Sequence, residues 1–288
     1  RIRLMSEVPL GVYLSGGLDS SSIVGLMSQV VDEPIKTFTV GFGRPDDEFN
    51  YARIVAEKFG TDHKELMIKT NLDKILPDVV WHFDEPVADP AALPTYQMSE
   101  VTKQHATVIL VGEGGDEAFA GYNKYSQMLS LAKYSKLLVG PIRGYVLPSA
   151  LKLFSVLVPN TQTNKYLEFA SDLIKVSNDK VRSYFKLSTI GFDEKQKSEL
   201  YTDDHKKTVN DSTSSTITKY FDKEEKLLHK MLSFDFNVWL CDKLLMKVDK
   251  MTMAFSIEAR APFLDHKLVE FANALPNRFR LNKHVFRK

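Results

Sequence analysis

A single cysteine, Cys241, stands among 288 residues, so no intrachain disulfide can form and the chain suits a reducing cytoplasm. A lone thiol in apolar surroundings reads as packing rather than as a reactive centre. Excess charge of either sign is also missing: 38 Lys and Arg against 37 Asp and Glu leave a net charge of +1. Without a basic excess there is no electrostatic footprint for nucleic acid, and no acidic tail is present. Long apolar runs are absent too. The longest apolar region, Leu137 to Val158, is broken by Pro141, Arg143, Pro148 and Lys152, which excludes a membrane-spanning helix there. No signal-peptide pattern and no internal repeat stand out. What is present is 43% hydrophobic residues, enough for a full core in one large domain or two intimate ones. The chain opens at Arg1 and closes at Arg287-Lys288 inside a helix-like pattern, so it is expected to be a piece of a longer polypeptide.

Strand and helix signals alternate through the first 122 residues. Strands are expected at Val8 to Leu14, Ile35 to Phe42, His63 to Ile68 and Thr107 to Val111, the last a short continuous apolar run suited to a buried parallel strand. Helices are expected at Leu18 to Val31, Phe49 to Phe59 with Gly60 as its stop, Leu72 to Phe83, and Thr95 to Gln104. This alternation predicts an α/β fold, a Rossmann-like parallel sheet with helices on both faces. Ligands of such sheets bind beyond the carboxyl ends of the strands. From Tyr122 onward strand signals fade. The remainder, 123–288, reads as a mainly helical part packed on the 1–122 core within one domain, with Asp203 to Lys226 a solvated loop or surface helix.

Two loops carry the chemistry. The first, Leu14-Ser15-Gly16-Gly17-Leu18-Asp19-Ser20-Ser21, joins the first strand to the first helix. Its glycines let the backbone approach a bound group. The helix start presents unpaired N–H groups and positive potential, so the place suits an anion. Asp19 would repel a naked phosphate and makes best sense holding a Mg²⁺ that neutralises one. The plainer alternative is a strand-to-helix turn with glycine for geometry and serine as a cap. The loop lacks the lysine of a Walker motif and the Gly-x-Gly-x-x-Gly of a dinucleotide site. The second loop, Gly112-Glu113-Gly114-Gly115-Asp116-Glu117, sets three acids among three glycines after a buried strand. Those acids would repel one another without a cation and a ligand to serve, the alternative being an acidic solvated turn.

The first loop resembles the pyrophosphate loop of N-type ATP pyrophosphatases, an adenine nucleotide α-hydrolase-like fold. Four further segments extend the likeness: Val40-Gly41-Phe42 with Asp46-Asp47-Glu48; Asp84-Glu85-Pro86 to Asp89-Pro90 with Leu93-Pro94-Thr95; Val111 to Glu117 closed by Gly121-Tyr122; and Lys247 to Met251 with Glu258-Ala259-Arg260-Ala261-Pro262-Phe263-Leu264-Asp265. Together they resemble the synthetase domain of glutamine-hydrolysing asparagine synthetases, from about Ser6 to Asn273, most weakly between Lys124 and Phe234.

The resemblance implies an ATP-dependent amide ligase. It would activate aspartate as an acyl adenylate with release of pyrophosphate, then transfer ammonia to give asparagine and AMP. Leu14, Ser15, Gly16, Gly17, Asp19, Ser20, Ser21, Val40, Gly112 and Lys250 would bind ATP or pyrophosphate, with Val40 in the adenine pocket. Asp19 and Asp116, and Glu48 beside them, would hold Mg²⁺, although Glu48 reads equally as a solvated acid at a helix N-terminus. Asp19 and Glu113 would be catalytic, Glu113 assisting ammonia attack. Asp84, Glu117 and Arg260 would contact substrate, although Asp84 reads equally as structural and Arg260 equally as the internal partner of Asp265. Lys243 and Lys247 are read as surface residues of one helix. Val111 stands where the family carries Ser or Thr, and no role is carried to it. The family's amino-terminal glutaminase domain, the source of ammonia, and the lysine of its basic carboxy-terminal segment are not in this chain. Partners would be small molecules, with no nucleic acid and no membrane; a homodimer is an assembly the resemblance allows, and the location implied is cytoplasmic. Two other readings stay open: a related β-lactam or peptide amide synthetase with another acyl substrate, and a non-catalytic ATP- or AMP-binding module.

Overall fold

The computed structural model describes residues 1–45, 47–68, 71–87, 89–136, 140–157, 161–188, 191–192, 194–209 and 215–281. The chain divides into two units, one formed by 1–121 with 235–288 and the other by 122–234.

The first unit is built on a parallel sheet: β1 (Leu10–Tyr13), β2 (Lys36–Gly41), β3 (Asp62–Met67), β4 (Val108–Leu110) and β5 (Glu258–Arg260), in the order β3-β2-β1-β4-β5. Helices α1 (Leu18–Met27), α2 (Phe49–Phe59), α3 (Leu72–Phe83), α4 (Ala92–Thr102) and α5 (Gly115–Phe119) connect the first four strands and follow the fourth. The central strands are apolar on both faces, as strands covered twice must be. Val12, Leu14, Ile23, Val24 and Leu110 form one buried cluster. Phe38, Ile109, Val111, Val248 and Ile257 form a second. Helices α2 and α3 have the bounds read from the sequence, and Gly60 closes α2 in the left-handed region at φ 61°. The ends of β1, β2 and β4 retract by one or two residues, β3 lies one residue earlier than expected, and α1 stops at Met27 rather than Val31. Helix α4 starts three residues early, at Ala92, because Asp89 accepts a hydrogen bond from the Ala91 N–H at 3.0 Å and opens the turn.

The second unit is helical among its described residues: α6 (Asn123–Tyr134), α7 (Leu147–Leu157), α8 (Thr161–Lys175), α9 (Lys180–Ser188), α10 (Glu194–Leu200), α11 (Asp203–Thr208), α12 (Ser215–Phe221) and α13 (Leu227–Phe234). Tyr184 lies buried at its centre against Phe221 and Phe234. The polar stretch read as loop or surface helix contributes α11 and α12, and α12 buries Ile217 and Phe221; residues 210–214 lie outside the described residues. No described helix is long and apolar enough to cross a membrane.

After Phe234 the chain returns to the first unit. A π-type segment, Asp235–Leu245, leads into α14 (Met246–Met253), then β5, then α15 (His266–Ala274) and α16 (Asn277–Arg280). Strand β5 falls where the sequence shows no strand signal. Three residues, two of them charged, carry too little pattern to mark a strand, and pairing with β4 decides it: Val108 faces Glu258 and Leu110 faces Arg260 in register.

Candidate active site

Strand order reverses between β1 and β4: β1 leads outward to β2 and β3, β4 to β5. In a parallel α/β sheet this switch point opens a crevice at the carboxyl ends of the two strands. The two loops singled out in the sequence leave from those two ends.

The loop after β1 is held by its own serines. The Ser15 and Ser20 hydroxyls lie 3.0 Å apart, Ser20 Oγ accepts from the Ser15 N–H at 3.2 Å, and Ser15 Oγ accepts from the Gly17 N–H at 3.2 Å. Gly17 is the N-cap of α1 and no side chain caps that end. An uncapped ten-residue helix start keeps its first-turn N–H groups for a ligand. Ser21 Oγ is buried and lacks a hydrogen-bond partner among the described residues. A buried hydroxyl with no partner is costly unless a ligand completes it. Gly16 takes φ +75°, and a Cβ there would come within 2.4 Å of Tyr51, so the loop lies directly on the first turn of α2. That turn begins at Glu48, whose carboxyl is pushed up by partial burial.

The loop after β4 meets the first loop through glycine. A Cβ on Gly115 would fall 2.7 Å from Asp19 Cγ, and one on Gly112 would fall 3.4 Å from Asp19 Cβ. The Asp19 carboxylate therefore sits against the backbone that immediately precedes Asp116. On its other side Gly114, at φ +90°, is closed by Leu264, which a Cβ there would meet at 2.2 Å. Glu117 is buried, at 2% exposure, in the first turn of α5. Glu113 is a quarter exposed at its side chain and stands 3.9 Å from Lys247 Nζ. Burial pushes the Glu113 carboxyl above the usual carboxylate range, against the pull of the Lys247 ammonium.

Lys247 corrects the sequence reading. It is 8% exposed, not a surface residue, because α14 lays this face inward beside Val248 and Met251. The signal was present, since Lys247 interrupts the apolar run Leu244-Leu245-Met246-Lys247-Val248. Lys243 is also engaged: it lies over the Trp239 ring at 4.1 Å and 4.0 Å from Asp89. Lys250 is half-buried one turn beyond Lys247.

The remaining candidates are distributed as follows. Val40 is half-buried on β2, on the same sheet face as Phe38. Leu14 is buried, its N–H donates to Phe38 O at 2.9 Å, and its carbonyl accepts from Thr39 Oγ1. Asp84 is exposed and ends α3 in the left-handed region at φ 59°. Arg260 is not paired with Asp265. Its guanidinium grips Glu258 at 2.7 and 3.3 Å and the carbonyls of Arg3 and Met5 at 2.9 and 2.7 Å. Asp265 instead caps α15, accepting from the Lys267 N–H at 3.1 Å. One acid the sequence reading left without a role is Asp47. It accepts from the N–H groups of Phe42, Gly43 and Arg44 at 2.8 to 3.0 Å, and these bonds, led by that of Phe42, hold its carboxyl below the usual range.

Among the described residues no group of three or more His, Cys, Asp or Glu side chains forms a metal cage. Asp19 and Asp116 do fit Mg²⁺, which takes one or two carboxylates and completes its shell with phosphate oxygens and water.

The asparagine synthase family model matches residues 1–288. The chain belongs to this family. It is similar to asparagine synthetase [glutamine-hydrolyzing] 1 of Bacillus subtilis, 33% identical over 305 residues that cover 100% of this chain and 44% of that relative. Asparagine synthetase [glutamine-hydrolyzing] 2 of Oryza sativa is 36% identical over 135 residues, 42% of this chain and 22% of its own. Amidase chyE of Penicillium rubens is 26% identical over 308 residues, 98% of this chain and 45% of its own. The chain thus spans less than half the length of these asparagine synthase relatives.

Proposed function

We propose that this chain is the synthetase part of an ATP-dependent, asparagine-forming ligase that works through an aspartyl adenylate. The observation that carries the reading is the Asp19 carboxylate seated on the Gly115 backbone at the β1–β4 switch point, which joins the phosphate-type loop to the acidic loop. ATP lies with its pyrophosphate on the Ser15–Ser21 loop, held by the first-turn N–H groups of α1 and the serine hydroxyls. Its adenine lies toward Val40. Asp19 and Asp116 would hold Mg²⁺, which would neutralise charge on the phosphoryl oxygens. The aspartate side-chain carboxylate attacks the α-phosphorus and pyrophosphate leaves. Glu113 then orients ammonia and takes a proton as the C–N bond forms. Ammonia comes from glutamine hydrolysis elsewhere in the full-length protein, in keeping with the names of its relatives.

ATP–pyrophosphate exchange with and without aspartate tests the reading. Exchange that depends on aspartate in the full-length protein is expected, and Asp19→Ala should abolish it while circular dichroism stays unchanged. Exchange that survives in Asp19→Ala would remove the metal role. Similarity to amidase chyE favours one second reading, amide formation on another acyl substrate; exchange supported by a different carboxylate and not by aspartate would select it.

A further inference from the structure

Lys247 and Glu113 form a pair that the reaction above does not require. The separation of 3.9 Å exceeds a hydrogen bond, so the attraction is coulombic and the carboxylate keeps its lone pairs for another donor. The Glu113 carboxylate also reaches its own backbone N–H. Lys247 is nearly buried, and a buried ammonium is retained only when an anion balances it. The same balance works in reverse. A desolvated carboxylate without Lys247 would recruit a small cation from solution, and at neutral pH ammonium ion far outnumbers ammonia. Ammonium has no lone pair. Bound at Glu113 it would occupy the place of the nucleophile and could not attack.

We propose that Lys247 sets the charge of the acceptor this site admits: its fixed ammonium balances Glu113, so the site takes neutral ammonia and turns away ammonium ion and other small monovalent cations. The inference rests on the amide-ligase reading. In that step the ammonia lone pair attacks the acyl carbon and the C–N bond forms. The C–O bond to phosphorus breaks, and its electron pair leaves with AMP. One N–H proton passes to Glu113. Lys247 touches no reacting atom in this scheme and is a positioning and selectivity residue.

The test follows amide formation in the full-length protein at fixed pH and fixed total ammonia, adding potassium or caesium chloride against choline chloride at equal ionic strength. Wild type should proceed equally in all three salts. Lys247→Met should become sensitive to potassium and caesium but not choline, by roughly tenfold or more in inhibitory concentration, since an opposite charge at this range is worth one to three powers of ten. Lys247→Arg keeps the charge and should resemble wild type. A Lys247→Met protein without cation sensitivity overturns the proposal. Should that variant fail to fold, wild type decides alone: saturation with ammonium chloride without inhibition beyond the choline control supports the proposal, and a falling rate at high ammonium overturns it. Aspartate-dependent ATP–pyrophosphate exchange separates the two ideas. If wild type lacks it, the ligase reading fails; if exchange is present but amide formation is cation-sensitive in wild type, only the role of Lys247 fails.

Discussion

In the proposed reaction Glu113 must lose a proton before it can accept one, and its surroundings oppose that loss. Burial raises its carboxyl and Lys247 only partly offsets the effect. The sign follows directly. The ionised form, needed as a base, appears only above a raised pKa, so the acid limb of amide formation should lie above the ordinary glutamate value of about 4.3. ATP–pyrophosphate exchange, which precedes ammonia attack, should not share that limb; pH–rate profiles of the two steps compare them. Glu113→Gln should leave exchange partly intact and depress amide formation by about a hundred- to ten-thousand-fold. Equal losses in both steps would instead make Glu113 part of the metal site. Glu113 and Asp19 were legible in the sequence because acids among glycines after a strand have few structural uses. Lys247 was misread: its spacing from Lys243 suggested a solvent face, while the apolar run it interrupts carried the signal that the packing of α14 bears out. The Arg260–Asp265 pairing failed for a related reason. Proximity in sequence suggested it, but Arg260 reaches backbone carbonyls at the other end of the chain and Asp265 serves its own helix.

Loop geometry is fixed by contacts that single residues do not reveal. The Ser15–Ser21 loop can lie on α2 only because Gly16 lacks a Cβ and tolerates φ +75°. Gly16→Ala adds a left-handed alanine, about 1–2 kcal/mol, to a direct overlap with Tyr51. A lower Tm and weaker ATP binding are expected together, by calorimetry and titration; unchanged values of both would mean the two elements do not depend on this contact. The turn after β2 depends on Asp47. Its depressed pKa means the stabilisation is present above the unfolded value and is lost as pH falls through the lower folded one. Amide exchange at Phe42, Gly43 and Arg44 should therefore quicken relative to β2 on acidification, and Asp47→Asn should reproduce that at neutral pH. At this scale the sequence conveyed most of the sheet, because β1, β2 and β4 are built from apolar and β-branched runs bounded by turn residues, while the polar β3 is set by its pairing with β2. It withheld β5, an edge strand of three residues whose Arg260 is drawn to Glu258 and to the carbonyls of Arg3 and Met5.

The first unit is assembled from two stretches of chain separated by the whole of residues 122–234. Strand β5 and Lys247 both come from the second stretch, while both candidate site loops, Ser15–Ser21 and Gly112–Glu117, come from the first. A protease site engineered at Tyr201-Thr202, between α10 and α11, should therefore cut the chain without dissociating the 1–121 and 235–281 portions. Co-migration on gel filtration with unchanged ATP binding checks this, and separation of the fragments would show that the β4–β5 pairing does not hold them. The same discontinuity sets a schedule for birth on the ribosome. When Leu110 emerges, β4 is a bare apolar edge, and its neighbour at Glu258–Arg260 has yet to be made. At about 5–20 residues per second, that edge waits on the order of ten seconds or more for its partner. For most of that interval Glu113 and its neighbouring acids exist without Lys247. A newly made chain is thus most exposed to wrong pairing while it is still chemically incomplete, and stalling translation short of Glu258 should leave it protease-sensitive and chaperone-bound.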